Sequence, residues 1–222
     1  MWRDASLIVA KDLRLEFRSR VALNQILPFS LLVLFLFAFA LNPDRGLLAS
    51  ATAGLFWIAV LFSSILLLQR AFAIEAADGA DQALLLAGLD PAGIFLGKAA
   101  AVWVQLLALE ALLIVGVAVL YGTEVRGIGL LIATCLTATT GIVAVGTIHG
   151  ALAAGVRVSE SLLPLLLLPV VAPIMIGATR AFEAALEGVS ADGWPWIGLL
   201  SIFAVVYVAF GLVTFGSLLE ES

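Results

Sequence analysis

The sequence predicts an all-α integral membrane protein with six membrane-spanning helices. Hydrophobic residues make up 63% of its 222 residues and charged residues only 12%, whereas a soluble domain has about 45–50% apolar and about 25% charged residues. Six apolar runs are each long enough to cross a bilayer, which takes about 20 residues. The sequence lacks the alternating segments of about ten residues that are typical of a membrane β-barrel. A helical bundle is therefore expected.

An amphipathic helix is predicted ahead of the first apolar run. Residues 3–20, RDASLIVAKDLRLEFRSR, place Leu13 and Phe17 at helical spacing among charged residues. Glu16 and Arg20 have the i, i+4 spacing that favours an ion pair on a helix. We expect this helix to lie in the membrane interface; the alternative is a plain positively charged anchor. No cleavable signal peptide is expected, because this polar stretch precedes the first apolar run.

The six predicted spans form one transmembrane domain over residues 1–222. The fourth span contains GTIHG, a small-xxx-small pattern that allows close contact between helices. The fifth contains Pro164, Pro169 and Pro173, each of which removes a backbone hydrogen bond and bends the helix. After it, residues 180–186 are expected to form a separate helix that dips back at the outer face. The spans are about 21–41, 47–68, 97–121, 128–155, 161–180 and 194–219.

The distribution of Lys and Arg orients the predicted bundle. Eight of these residues flank one set of helix ends and three flank the other. The eight are Arg3, Lys11, Arg14, Arg18, Arg20, Arg70, Lys98 and Arg157, and the three are Arg45, Arg126 and Arg180. Positively charged loops stay in the cytoplasm. Both termini and residues 69–98 are therefore expected on the cytoplasmic side.

A polar segment at residues 69–96 interrupts the apolar sequence between the second and third spans. Its carboxylates include Glu75, Asp78 and Asp81, and a leucine run follows at 84–86. Carboxylates are costly in lipid, so the segment belongs in the cytosol, while three consecutive leucines favour contact with another surface. The sequence therefore predicts a short helix, acidic on one side and leucine-rich on the other. The alternative is a solvated loop.

Helix boundary signals lie at the end of this segment. Gly88 suits the position just after a helix end. Asp90 is a suitable N-cap and Pro91 suits the first helical position. A helix is therefore expected to begin at Pro91 and to run through Lys98 into the third span.

Two ionisable residues lie inside the predicted spans. Glu110, in QLLALEALL, lies halfway along the third span, where a carboxylate is costly unless it is protonated, paired or facing water. We expect it to point into the bundle or toward a second copy, either as a structural hydrogen-bonding group or in a substrate path. His149, the one histidine of the sequence, is expected to be a hydrogen-bonded structural residue, with a substrate contact as the alternative.

No catalytic or metal site is expected in this chain. The nearest match to a nucleotide-binding loop, GIFLGKA, has one residue too few between its glycines and Ala99 in place of Ser or Thr. A protein driven by ATP would therefore need a separate ATPase chain. The zinc-protease motif HExxH requires two histidines, and no serine nucleophile motif is present. An intramembrane enzyme is the weakest of the alternatives.

Motifs along nearly the whole chain share their order with one known family. They run from KDLRLEFRSR through GLFWIAVLFSSILLLQRAF, DGADQALLL, DP and GKAAAVW to LPLLLLPVVAPIMIGATRAFEAA. This ordered set resembles the heme exporter protein B family (CcmB), the membrane subunit of an ABC-type complex in cytochrome c maturation. No single motif is diagnostic, and the last span is the least distinctive part.

The resemblance implies an ABC exporter permease-like fold in the bacterial inner membrane. It implies a partner ATPase, CcmA, which hydrolyses ATP, together with CcmC and CcmD. Heme would be the handled ligand, and the heme-loaded chaperone CcmE would be released on the outer face. Two permease copies per complex are expected. The alternatives are a permease for a lipid or drug, and a scaffold that remodels partner proteins without transporting anything.

In a protein of this family, segment 69–96 would insert into a cleft of the ATPase as a coupling helix. Its leucines would supply apolar burial and its carboxylates would orient it against basic residues. The family favours LEQLLL where this chain has ADQALLL, which shifts Gln82 and weakens the polar part of the helix. The residues expected to dock are Glu75, Asp78, Gly79, Asp81, Gln82, Leu84, Leu85 and Leu86.

Overall fold

The structure is a computed structural model that describes residues 1–41, 45–78, 88–154 and 159–221, and these residues form seven α-helices. A π-helical turn, Ala22–Ile26, joins the first two helices. Six of the helices, α2 to α7, are long and apolar enough to cross a membrane. The predicted all-α membrane fold is therefore confirmed. The helices are α1 Trp2–Ser19, α2 Leu27–Leu41, α3 Arg45–Asp78, α4 Pro91–Tyr121, α5 Ile128–Ala154, α6 Ser159–Glu187 and α7 Ser190–Glu221.

Helix α5 lies at the centre of the bundle and packs against α3, α4, α6 and α7. Its contact with α3 depends on the two glycines of GTIHG. A Cβ added at Gly146 would lie 2.2 Å from Leu68 Cδ1, and one added at Gly150 would lie 2.2 Å from Phe72 Cε2. Glycine at both positions leaves room for the Leu68 and Phe72 side chains of α3. The packing role predicted for this pattern is confirmed.

The boundary signals before the third span are also confirmed. Gly88 has a φ of 71°, in the left-handed region that favours glycine. Helix α4 begins at Pro91, and the Asp90 side chain accepts a hydrogen bond from the backbone N–H of Ala92 at 3.3 Å. This bond satisfies one of the donors left unpaired at the start of a helix.

Two predicted helix boundaries were wrong. Helix α3 continues without a break from Arg45 to Asp78, so residues 70–78 extend the second span and do not start a new helix. Helix α6 likewise continues through residues 180–186 to Glu187. Both extensions consist of good helix formers, and the extension of α6 ends just before Gly188, which has a φ of 81°. The side chains become polar in these extensions, but polar side chains do not interrupt the backbone hydrogen bonds of a helix.

Helix α1 lies directly on the first half of α4. Ala5 and Ile8 are buried in this contact. A Cβ added at Gly97 would lie 2.5 Å from Ile8 Cβ and 2.9 Å from the backbone oxygen of Ala5, and one added at Gly93 would lie 2.8 Å from the backbone oxygen of Met1. The GIFLGKA motif is therefore a helix-packing site, in which two glycines four residues apart admit a neighbouring backbone.

Replacing Gly97 by alanine is expected to push α1 away from α4. Because the nearest groups include a backbone carbonyl, which cannot rotate aside, we expect Gly97→Ala to lower the free energy of unfolding by about 1–3 kcal/mol. Gly198, in the interior of α7, has nothing within 4 Å of an added Cβ. Gly198→Ala is therefore the matched control and should be neutral or stabilising. Thermal unfolding of the detergent-purified protein measures both, and equal midpoints for the two variants would contradict the contact.

Candidate functional site

Helices α1, α3 and α4 meet at one end of the bundle, beside the point where the chain leaves α3 for residues 79–87. We call this meeting point, formed by residues 1–22, 70–72 and 88–98, the α1 junction. Arg70 of α3 contacts Glu16 of α1, with its Nε 3.5 Å from Glu16 Oε2. Its Nη2 also donates a hydrogen bond to Ser19 Oγ at 2.7 Å. Arg70 therefore connects the C-terminal part of α3 to the C-terminal end of α1.

Glu16 connects a third element to the junction. Its Oε1 accepts a hydrogen bond of 2.6 Å from the backbone N–H of Ala22, which begins the π-helical turn. Hydrogen bonds to an ionised acceptor are among the stronger ones. The same carboxylate therefore fixes the turn that follows α1 and binds Arg70.

The start of α1 is joined to the start of α4. Asp4 Oδ2 accepts a hydrogen bond from the backbone N–H of Asp90 at 3.3 Å. The ammonium group of Met1 lies 3.3 Å from both Asp4 and Asp90. The Asp90 N–H first, and this ammonium group second, hold the pKa of Asp4 below its ordinary value. Asp4 therefore remains ionised and accepts these bonds at neutral pH.

Lys98 lies inside the α1 junction, although the sequence placed it among the flanking basic residues. Only 2% of its surface is exposed. Its Nζ lies 4.4 Å from the centroid of the Phe72 ring, a favourable cation–π distance. Phe72 in turn packs against Gly150 of α5. Lys98 therefore helps to join α3 and α4 to the central helix.

The predicted docking residues lie next to this junction. Glu75 and Asp78 belong to the last turns of α3. Eight residues separate Arg70 from Asp78, which corresponds to about 12 Å of helix. The remaining residues, Gly79, Asp81, Gln82, Leu84, Leu85 and Leu86, lie outside the described residues. Their role in docking stays a prediction.

Glu110 lies inside the bundle, between α4 and α5. It is 1% exposed, and its Oε1 accepts a hydrogen bond from Thr139 Oγ1. Cys135, one helical turn before Thr139 on α5, is also buried. Of the two orientations that the sequence left open, the structure shows the one that faces the bundle.

His149 occupies a different part of α5. Its Nδ1 lies 2.8 Å from the backbone oxygen of Val145, the kind of bond expected of a structural histidine. Ten residues, or about 15 Å of helix, separate it from Thr139. Glu110 and His149 therefore do not form a common site. In the described part of the chain, no group of three or more His, Cys, Asp or Glu residues could hold a metal ion.

Comparison with known proteins supports the resemblance to the CcmB family over nearly the whole chain. A family model described as CcmB protein matches residues 3–220. The chain belongs to the CcmB family. Relatives of this CcmB-family chain in several bacteria carry the name heme exporter protein B. The Pseudomonas aeruginosa protein is 30% identical over 208 residues, which are 93% of each chain. The Haemophilus influenzae protein is 32% identical over 208 residues, 93% of this chain and 90% of its own. The Escherichia coli K12 protein is 34% identical over 215 residues, 87% of this chain and 86% of its own.

The bond between Thr139 and Glu110 is expected to stabilise the bundle of this CcmB-family chain. Thr139→Val removes a hydrogen bond between two spans, which contributes about 0.6 kcal/mol on average and at most about 1.7 kcal/mol. Thr147 is an equally buried threonine of α5 whose hydroxyl, among the described residues, bonds to the backbone oxygen of Val143 alone. Thr147→Val is the matched control. Thermal unfolding should show a larger loss for Thr139→Val, and a loss no larger than that of the control would contradict the bridge.

Proposed function

We propose that this chain is the membrane subunit of an ABC-type complex that couples ATP hydrolysis by a separate ATPase, CcmA, to heme export or to release of heme-loaded CcmE. Membership of the CcmB family and the relatives named heme exporter protein B support this role. The α1 junction is the structural observation that carries it, because it joins the two helices on either side of residues 79–87. The chain itself is non-catalytic, and heme is the ligand that the complex handles.

Helix α3 is long enough to carry a movement from outside the membrane into it. Its 34 residues correspond to about 51 Å of helix, whereas the hydrocarbon core is about 30 Å thick. Its final turns, with Glu75 and Asp78, therefore extend beyond the membrane. A continuous helix is stiff along its axis, so a displacement of this end tilts the span itself.

Helix α1 makes α3 and α4 respond together. The Glu16–Arg70 contact holds α1 to α3, and the Asp4–Asp90 hydrogen bond holds α1 to α4. An ATPase that binds residues 75–86 therefore acts on three helices at once. In the complete complex, closure of two ATPase subunits would move two copies of this unit, one in each permease copy.

The charges of the bundle support a cytoplasmic location for the α1 junction. Arg70 and the basic residues of α1 lie at this end. Arg126 lies at the opposite end, where it contacts Gly188 in the turn between α6 and α7. By the positive-inside rule the junction faces the cytoplasm, with both termini on that side of the bacterial inner membrane. CcmC and CcmD complete the proposed assembly.

A charge placed in the docking segment is expected to separate the two subunits. Leu85→Arg puts a charge into an apolar contact, and Asp78→Arg reverses a charge that orients the helix. Either change should abolish co-purification of the ATPase while the permease stays inserted in the membrane. Co-purification from detergent-solubilised membranes, with equal permease amounts, measures this.

The matched controls lie at the opposite end of the bundle. Val189 is 45% exposed in the turn between α6 and α7, and Glu124 has an 83% exposed side chain in the loop before α5. Val189→Arg and Glu124→Arg make the same chemical changes and should leave the ATPase bound. Normal ATPase recovery with Leu85→Arg and Asp78→Arg would refute the proposed docking site.

A further inference from the structure

An apolar cleft lies between the second half of α1 and the face of α4 that looks away from the bundle. It encloses about 320 Å³. Helix α1 contributes Leu13 and Phe17, and α4 contributes Val104, Ala108 and Leu112. The polar residues of its lining are Glu16, Arg20 and Gln105. The cleft therefore has an apolar body, with a carboxylate and a guanidinium group from the end of α1.

The α4 wall of this cleft is a straight row. Val104, Ala108 and Leu112 follow one another at four-residue spacing, and all three are exposed. The row is about 12 Å long, which is close to half of the roughly 30 Å hydrocarbon core. Ala108, the smallest of the three, makes a depression in its middle. The groove therefore has the length and surface of a site for a lipid acyl chain in one leaflet.

The charged groups at the end of α1 differ in their availability. Glu16 is occupied by the N–H of Ala22 and by Arg70. Arg20 lines the cleft, is exposed, and forms no salt bridge within the described parts of the chain. Its φ is 53°, the one positive value found for a non-glycine residue among those described. A residue with a side chain is unfavourable in this conformation. The cleft therefore presents the positive charge of Arg20. Glycine or asparagine would suit the backbone at this position better than arginine does.

We propose that this cleft binds one anionic phospholipid. Its acyl chain lies along the row of Val104, Ala108 and Leu112, and its phosphate pairs with Arg20. An apolar partner helix is a poorer fit, because it would cover the Arg20 guanidinium without supplying an anionic partner, whereas a phosphate supplies one. The site does not depend on the proposed ATPase docking. It would anchor α1, and with it the α1 junction, to the surrounding membrane.

Native mass spectrometry of the detergent-purified full chain tests this proposal. The probe is an equimolar mixture of dioleoylphosphatidylglycerol and dioleoylphosphatidylcholine. The unmodified protein should retain one lipid preferentially, and this should be phosphatidylglycerol. Ala108→Trp fills the groove and should reduce its occupancy at least tenfold. Ala111→Trp is the matched control, since Ala111 is an exposed residue of α4 outside the cleft, and it should leave the occupancy unchanged.

The headgroup contact is tested with Arg20→Asn. Asparagine tolerates a positive φ, so this variant should keep the thermal stability of the unmodified protein. It should lose about fivefold in preference for phosphatidylglycerol over phosphatidylcholine, the contribution of one arginine near an anionic headgroup. Arg18 is a neighbouring exposed arginine of α1 that does not line the cleft, and Arg18→Asn should cause a smaller loss.

Three results would overturn the proposal. The first is equal lipid occupancy in Ala108→Trp and Ala111→Trp. The second is equal retention of the two lipids by the unmodified protein. The third is loss of a dimer, with no loss of lipid, in Ala108→Trp, which would assign the groove to a second copy of the chain.

Discussion

The close contact between the backbones of α1 and α4 is the constraint on which the α1 junction depends. It exists because Gly93 and Gly97 have no side chains to hold the helices apart. Once α1 rests on α4, Asp4 reaches Asp90 and Glu16 reaches Arg70. Polar pairs of this kind add modest energy at an exposed surface. The glycine contact supplies the position, and the polar bonds fix the orientation.

The same contact gives the proposed function a mechanical basis. In an ABC-type complex, the membrane subunit must convert a movement of the ATPase into a movement of its spans. Helices α3 and α4 border the segment proposed to bind the ATPase, and α1 contacts both of them at the α1 junction. Lys98 and Phe72 extend this connection toward α5, the central helix. A displacement at residues 75–86 would then reach the middle of the bundle through side chains in direct contact.

The sequence predicted those features that depend on local signals. Apolar runs gave the six spans, and Gly88 with Asp90 gave the start of α4. It did not predict that α3 continues past residue 70, because a change from apolar to polar side chains does not end a helix. The Glu16–Arg70 contact joins distant parts of the chain and has no local signature. The packing role of GIFLGKA does have a local signal, since two glycines four residues apart favour close contact between helices.

The most direct test of a rigid α1 junction is a distance between α1 and α4 during ATP turnover. Leu7 and Val119 are exposed on α1 and α4 and can carry spin labels once Cys135 is replaced by serine. Pulsed electron paramagnetic resonance would measure their separation in a complex that hydrolyses ATP, with and without nucleotide. A rigid unit predicts a shift of less than about 2 Å, the scale of small helix adjustments. A shift of about 5 Å, one helical turn, would show that α1 leaves α4 and would contradict the account.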